Sequence, residues 1–413
     1  MGLQGGMVAF LSALPKAFRC PRLAGPAHVR SDDPAQHLSR QNRRPEGAWG
    51  SPRTSAATTL MRSGLGFSAL LLLSTTARAS HERPWLADTH PARIAQVTAL
   101  PGKANWRQAL PFTDGSVIVL REPDPAESGS FLARLSPGAA AAAAFIPDWG
   151  TAPSGSRGAD RFAPSALAHD EKGGLWLIDG SGTGAPPRLM RLDPVRGTIL
   201  AEFPLPPEGV TPASRFTALA VHGEMAYLAD EGGACLTVID MHGRQATRFF
   251  SGYPTSRGHR PLVVNRQTVK GADGLPLTRD LSWLALENNG LWLYEQAPTG
   301  PIYRLSTSLL TDPSTTPSEL MEGVTEWRGT PTISGMTIDD KSTLYLTDIS
   351  EGRLLSFDTG RHPHVLLVAP QLVHAGTPGW VGDGPSGSSS DKITHAGLIY
   401  VPAGHVLLRI ALP

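Results

Sequence analysis

From residue 100 onward one unit recurs at a period of about 50–65 residues, and a repeat of that length confines the fold to an array or ring of like modules. Each copy starts with a short apolar run, passes a turn, and continues into a second strand carrying an aromatic residue and often a final acid. Four copies are clear: Ser165-Ala-Leu-Ala-His-Asp170 with Leu175-Trp-Leu-Ile-Asp179, Thr217-Ala-Leu-Ala-Val221 with Ala226-Tyr-Leu-Ala-Asp230, Ser282-Trp-Leu-Ala-Leu286 with Leu291-Trp-Leu-Tyr-Glu295, and Ser334-Gly-Met-Thr-Ile338 with Leu344-Tyr-Leu-Thr-Asp348. Two weaker copies flank them, Arg107-Gln-Ala-Leu-Pro111 with Val117-Ile-Val-Leu120, and Thr394-His-Ala-Gly-Leu-Ile399 with Val406-Leu-Leu-Arg-Ile410. A third strand follows most copies, as in Arg188–Leu192, Cys235–Asp240, Ile302–Leu305 and Arg353–Phe357. The runs are short, β-branched or aromatic, and separated by Gly, Pro, Asp and Asn, so they read as strands and turns. Six units of about four strands predict an all-β, six-bladed β-propeller forming one domain over residues 85–413.

Composition agrees with this. Gly 44 and Pro 37 of 413 residues exceed the roughly 12 % of average usage without any collagen period, which signals many turns. Hydrophobic residues at 40 % and charged residues at 18 % provide for a large core. The formal net charge of +1 conceals an asymmetry: residues 1–60 carry +5, whereas residues 80–413 hold 27 basic against 33 acidic side chains. An acidic body lacks the basic footprint that nucleic acid requires. The expected chain is a monomer without a membrane span.

The run Met61–Ala79 has the three parts of a secretory signal: Arg62 at its start, the apolar stretch Gly64–Leu73, and the small-x-small site Ala77-Arg78-Ala79. Cleavage there leaves Ser80 first and predicts a secreted or periplasmic product. Residues 1–60 are rich in Arg, Pro, Ser and Gly without a period, and read as a disordered leader, with Met61 the expected start of translation. The expected mature chain holds Cys235 alone, so no intrachain disulfide is available.

Asp179, Asp230, Glu295 and Asp348 close the second strand of four copies. Recurrence at one position in four copies points to a structural task, accepting backbone N–H bonds in the following turn, and not to a metal centre. His362 and His364 have H-x-H spacing but lie in a loop beside Pro363, and His169, His222 and His242 fall at turns, where solvation is the expectation. The sequence holds no Gly-x-Ser-x-Gly elbow, P-loop, Rossmann fingerprint or haem motif.

The stretch Arg215–Asp240, followed by Arg248-Phe-Phe-Ser-Gly-Tyr-Pro-Thr-Ser256 and Gly271-Ala-Asp-Gly-Leu-Pro-Leu277, resembles the central part of the Yellow/major royal jelly protein family. The resemblance covers about residues 90–413 and implies an exported six-bladed propeller. Gluconolactonase-type lactonases are more distant relatives by the same resemblance. There, Asn-Gly-Leu and Asp-Gly-Met motifs supply metal ligands on the axis, at places where this chain has Thr217-Ala-Leu219 and Ser334-Gly-Met336. Neutral hydroxyls are weak ligands for a hard divalent cation such as calcium. A metal is therefore implied only if a lactone hydrolase has rebuilt that site from other acids; otherwise no cofactor and no metal are expected.

One column precedes the apolar core of each first strand: Arg107, Ser165, Thr217, Ser282, Ser334 and Thr394, with His395 beside the last. First strands of a propeller line the central channel, so this column predicts a polar ring at one mouth. Hydroxyls both donate and accept, and a guanidinium offers a planar fork. The ring suits a small polar or anionic molecule, although hydration of strand ends is an alternative use of the same groups. Nothing in it titrates near neutrality, so the catalytic groups stay unassigned. Asp280, Arg161 and Arg215 stand close by in sequence. Thr377–Asp391, rich in Gly and Ser, reads either as a lid bearing Trp380 and Asp383 or as disorder. The functions left open are a small-molecule binder, a metal-dependent lactonase and a protein-interaction platform.

Overall fold

The computed structural model describes residues 86–87, 92–122, 130–148, 162–180, 186–382 and 397–413. All of them belong to the second of the chain's two units, residues 76–413. The expected leader (1–60) and signal (61–79), together with Arg161, Asp383, Thr394 and His395, lie outside the described residues.

The chain opens with β1 (Leu86–Ala87) and β2 (Arg93–Ala99), whose partners come much later. Blade one follows as β3 (Trp106–Pro111), β4 (Val117–Arg121), β5 (Leu132–Leu135) and β6 (Ala143–Phe145). Blade two is β7 (Pro164–His169), β8 (Leu175–Asp179), β9 (Arg188–Leu192) and β10 (Ile199–Pro204), and blade three is β11 (Phe216–His222), β12 (Met225–Asp230), β13 (Cys235–Asp240) and β14 (Gln245–Phe249). A small hairpin, β15 (Val263–Val264) and β16 (Gln267–Thr268), precedes blade four. That blade is β17 (Trp283–Leu286), β18 (Trp292–Gln296), β19 (Ile302–Ser306) and β20 (Thr325–Arg328). Blade five is β21 (Ile333–Ile338), β22 (Leu344–Asp348), β23 (Arg353–Phe357) and β24 (Pro363–Val368), to whose outer edge β1 adds in parallel. Blade six has the order β25 (Gly379–Val381), β26 (Leu398–Ala403), β27 (Val406–Ala411) and then β2, so the N-terminal strand completes the sheet built by the C-terminus. The result is the expected six-bladed β-propeller.

Two short helices, α1 (Ser308–Thr311) and α2 (Pro317–Gly323), interrupt blade four. The second is written in the sequence: Thr316 accepts from the Glu319 amide, Glu319 accepts from the Thr316 amide, and Pro317 opens the helix.

The strands are apolar on both faces because both faces are covered. In β12, Ala226 and Leu228 pack toward blade two while Tyr227 and Ala229 pack toward blade four. In β4, Val117 and Val119 meet blade six, whereas Ile118 and Leu120 meet blade two. Six apolar clusters result, one at each blade interface. With each fully buried Leu, Ile or Phe worth about 1.5–3 kcal/mol, the interfaces and not the free edges carry the fold.

The sixth blade corrects the strand assignment read from the sequence. The segment Leu398–Ala403 is its second strand, and its innermost strand is Gly379–Val381, inside the stretch read as a lid or as disorder. The innermost strand is only three residues long and carries Gly379, so its apolar signal is weak.

The closing acids divide. Asp179 accepts from the Ala163 amide and bonds Arg188, Asp230 accepts from the Arg215 and Gly233 amides, and Asp348 accepts from the Ser350 amide and bonds Arg353. Glu295 does not share this role. In blades two, three and five, Leu167, Leu219 and Met336 stand opposite Leu177, Leu228 and Leu346, with the acid two residues further on. In blade four, Leu284 stands opposite Glu295 itself. Measured from these pairs, the β17–β18 turn is one residue longer than those of blades two and five and two longer than that of blade three, and Glu295 stands on the same face as the other acids but two ladder positions short of the rim. Ala297 takes the rim position, and Glu295 is fully buried with both oxygens unpartnered.

Candidate functional site at one mouth of the channel

The predicted column coincides with backbone irregularities. Register breaks fall at Arg107 (between Trp106 and Gln108), Ser165 (between Pro164 and Ala166), Thr217 (between Phe216 and Ala218) and Ser334 (between Ile333 and Met336). A bulge leaves one residue unpaired and re-aims its side chain, so the first strands turn these positions away from the ladder.

Arg107, Thr217 and Ser334 line one cavity of about 360 Å³ at this end of the axis. Ser165 and Ser282 do not line it. Ser165 is buried with its hydroxyl unpartnered, and Ser282 donates to the Asp280 carbonyl at 2.8 Å. Thr217 donates to the Ser282 carbonyl at 3.1 Å, and the Ser334 hydroxyl lies 2.9 Å from that of Thr347. At the sixth blade the place assigned to Thr394 is occupied by Thr377, which precedes the true innermost strand and lines the cavity. Thr377 donates its hydroxyl to Ser334 O and its amide to Arg107 O. This approach requires Gly376: a Cβ there would sit 2.3 Å from the Arg107 carbonyl oxygen.

Arg107 is the exceptional member. Its Nη2 is buried and has no partner. Burial lowers its pKa to about 10, an effect that Glu122 and Glu231 oppose and Arg279 reinforces, so the group stays charged at neutral pH. Around it the structure places charges that the column did not include. Glu231, with a side chain only 2 % exposed, accepts from Arg215 Nη2 at 2.6 Å and from Arg279 Nε and Nη2 at 2.6 and 2.5 Å. Arg279 and Glu122 line the cavity beside Arg107, as do Asn105 and His374. The hydrogen bonds from Arg279 to Glu231 raise the arginine's pKa further.

Arg279 arrives on the segment between blades three and four. That segment crosses to blade five: the β15–β16 hairpin donates the Asn265 and Arg266 amides to Ile349 O and Ser350 O, and the Val263 amide donates to the Thr332 hydroxyl. Asn265 and Arg266 take φ values of 47° and 62°, the pair a two-residue turn of this hand needs. Val264 thereby becomes part of the cavity wall. Of the other groups noted in the sequence, Asp280 accepts from the Gly258 amide, which ties down the same crossing segment.

A second cavity of about 490 Å³ occupies the opposite part of the channel. His169, expected in a solvated turn, ends β7 and is half-buried there, edge-on to Phe112 at 4.7 Å between ring centroids. Burial lowers its pKa to about 4, so it is neutral at physiological pH, and its Nε2 has no partner. His242 stays at the surface near Glu224, and His362 bonds Asp358. Among the described residues no three His, Cys, Asp or Glu side chains gather to hold a metal ion, and no helix is long and apolar enough to cross a membrane.

Residues 164–366 match the major royal jelly protein family. No curated protein sequence matches the chain. Among solved structures, it is similar to a virginiamycin B lyase from Staphylococcus aureus (13 % identity over 77 % of this chain and 99 % of that one, TM-score 0.44). It is also similar to a gluconolactonase from Xanthomonas campestris (13 %, 80 % and 97 %, TM-score 0.46) and to the β-propeller domain of Myceliophteria thermophila Cps50 (9 %, 78 % and 100 %, TM-score 0.44). At these identities and scores the neighbours carry no argument about chemistry.

Proposed function

We propose that this chain, whose second to fifth blades belong to the major royal jelly protein family, is an exported propeller that binds a small polar or anionic molecule in the cavity beside Arg107. The observation that carries the reading is the Arg107 guanidinium, which lines the cavity, is charged, and has one buried, unpartnered nitrogen. A buried donor left without an acceptor is costly, and a ligand oxygen would satisfy it. Thr217, Ser334 and Asn105 add neutral hydrogen-bonding groups around the same space. Arginine and hydroxyls orient a ligand well and transfer protons poorly at neutral pH, which favours binding over catalysis. Export rests on the signal-like run Met61–Ala79, and N-terminal sequencing of the native protein should give Ser80.

Thermal-shift screening with acetate, gluconate and inorganic phosphate, followed by calorimetric titration of the tightest, tests the site. Arg107→Ala is expected to weaken binding ten- to a hundredfold, from roughly 1.5–3 kcal/mol for a charge-assisted bond. Ser334→Ala should cost about fivefold, as a neutral bond does. A ligand bound equally well by Arg107→Ala would show that the polar ring merely holds water.

A further inference from the structure

The two cavities of the channel share four lining residues, Gln108, Thr217, Trp283 and Thr377, and so abut along the axis. Three of the four are tied to backbone. Gln108 donates from Nε2 to Leu167 O at 2.8 Å and accepts from the Leu167 amide at 2.9 Å, Thr217 bonds Ser282 O, and Thr377 bonds Ser334 O. Trp283 differs: its indole N–H is buried without a partner, so its ring is the one element of the partition that no hydrogen bond holds.

The chambers on either side differ in character. On the Arg107 side, three guanidiniums (Arg107, Arg215, Arg279) face two carboxylates (Glu122, Glu231), which leaves a single uncompensated positive charge. Beyond Trp283 the lining is mixed, with Leu110, Leu167, Leu284 and Met336 beside Thr113, Asn288 and Thr337, and the half-buried histidine there is neutral. Charges reappear only on the β7–β8 and β17–β18 turns at the far rim: Asp170 pairs with Arg191 at 3.0 Å and with the Trp176 N–H, Glu171 accepts from the Gly223 amide, Glu287 accepts from the Tyr294 hydroxyl, and Lys172 is exposed. One net charge at one end and an uncharged, partly apolar chamber at the other describe an amphiphile.

Resting on the anion-binding reading above, we propose that the ligand is a monocarboxylate whose carboxylate meets Arg107 and whose uncharged body passes Trp283 into the second chamber. A single carboxylate matches the single free positive charge, where a phosphate dianion would leave a surplus. The apolar part of these walls rewards length, since each buried methylene is worth about 0.8 kcal/mol, or about fourfold in affinity.

The test is calorimetric titration with acetate, hexanoate, decanoate and 1-decanol, on the wild type and on Arg107→Ala and Thr337→Trp. Thr337 lines the second chamber alone, so a tryptophan there narrows it and leaves the carboxylate end intact. Hexanoate is expected to bind at least tenfold tighter than acetate, and decanoate tighter again. Thr337→Trp should bring decanoate down to near acetate and leave acetate unchanged, while Arg107→Ala weakens all three acids. Equal affinity for acetate and decanoate would overturn the extended ligand and leave the anion site standing. Decanol binding as tightly as decanoate, or decanoate indifferent to Arg107→Ala, would overturn both. Should Thr337→Trp fail to fold, the chain-length series on the wild type decides alone.

Discussion

Asp230→Ala should lower folding stability by about 3–5 kcal/mol, the usual cost of removing one partner from a buried, hydrogen-bonded charge cluster. Asp230 is fully buried and accepts from the Arg215 and Gly233 amides at 2.9 Å each and from the Ser214 hydroxyl at 2.7 Å. Arg248 Nη2 lies 3.5 Å away and is itself only 17 % exposed. Alanine strands all of these donors at once. Urea unfolding followed by tryptophan fluorescence measures the loss. Asp230→Asn should recover part of it, because an amide oxygen still accepts from the two backbone amides. A loss below about 1 kcal/mol for the alanine variant would mean that the rim acids do not anchor the blades.

Glu295→Gln works in the opposite direction. Burial raises the Glu295 pKa from 4.5 to about 8. Between those values the folded protein keeps the proton while the unfolded chain has lost it, so folding takes up a proton. Stability is therefore greatest below about pH 4.5 with respect to this group, falls as pH rises, and levels off above about pH 8. Glutamine has the shape and hydrogen-bonding capacity of the protonated acid and cannot ionise. The variant should be more stable than wild type by a few kcal/mol at pH 8, and the two should converge near pH 4.5. Melting temperatures of both proteins across pH 4–9 measure it, and parallel curves would show that Glu295 is solvated in the native state.

The repeat made the ring legible because its signals are local: apolar runs bounded by turn residues, recurring at a fixed spacing. The column at Arg107, Thr217 and Ser334 was legible for the same reason, since bulged positions sit at a fixed offset from the apolar runs. Failures came wherever spacing and structure part. Counting residues aligns Glu295 with the rim acids, and counting cannot see that the β17–β18 turn is longer than its counterparts. The sixth innermost strand was hidden because Gly379-Trp-Val381 is too short to show a period. Glu231 and Arg279 lie 48 residues apart and meet only through the fold. A signal for them did exist. In an antiparallel blade, residues just before a first strand and just after a second strand share one rim. Arg215 and Arg279 stand in the first position, Glu122 and Glu231 in the second. Reading flanks as well as strands would have collected that charge cluster.

Residues 93–99, arriving from the start of the described fold, finish the sheet that residues 398–411 build at its end. An open row of repeats can fray from either tip, because each terminal module has only one neighbour. Here no module is terminal, so loss of any blade costs two interfaces instead of one, and unfolding should be closer to all-or-none than in a linear array. Detaching β2 would untie the start of the described fold from the ring, while Tyr400 and Leu407 of blade six still pack against blade one. Conversely, a chain rejoined at its natural ends and reopened in a turn between two other blades would have every interface restored, and the order of blades along the sequence would then be free to change while the ring stayed the same.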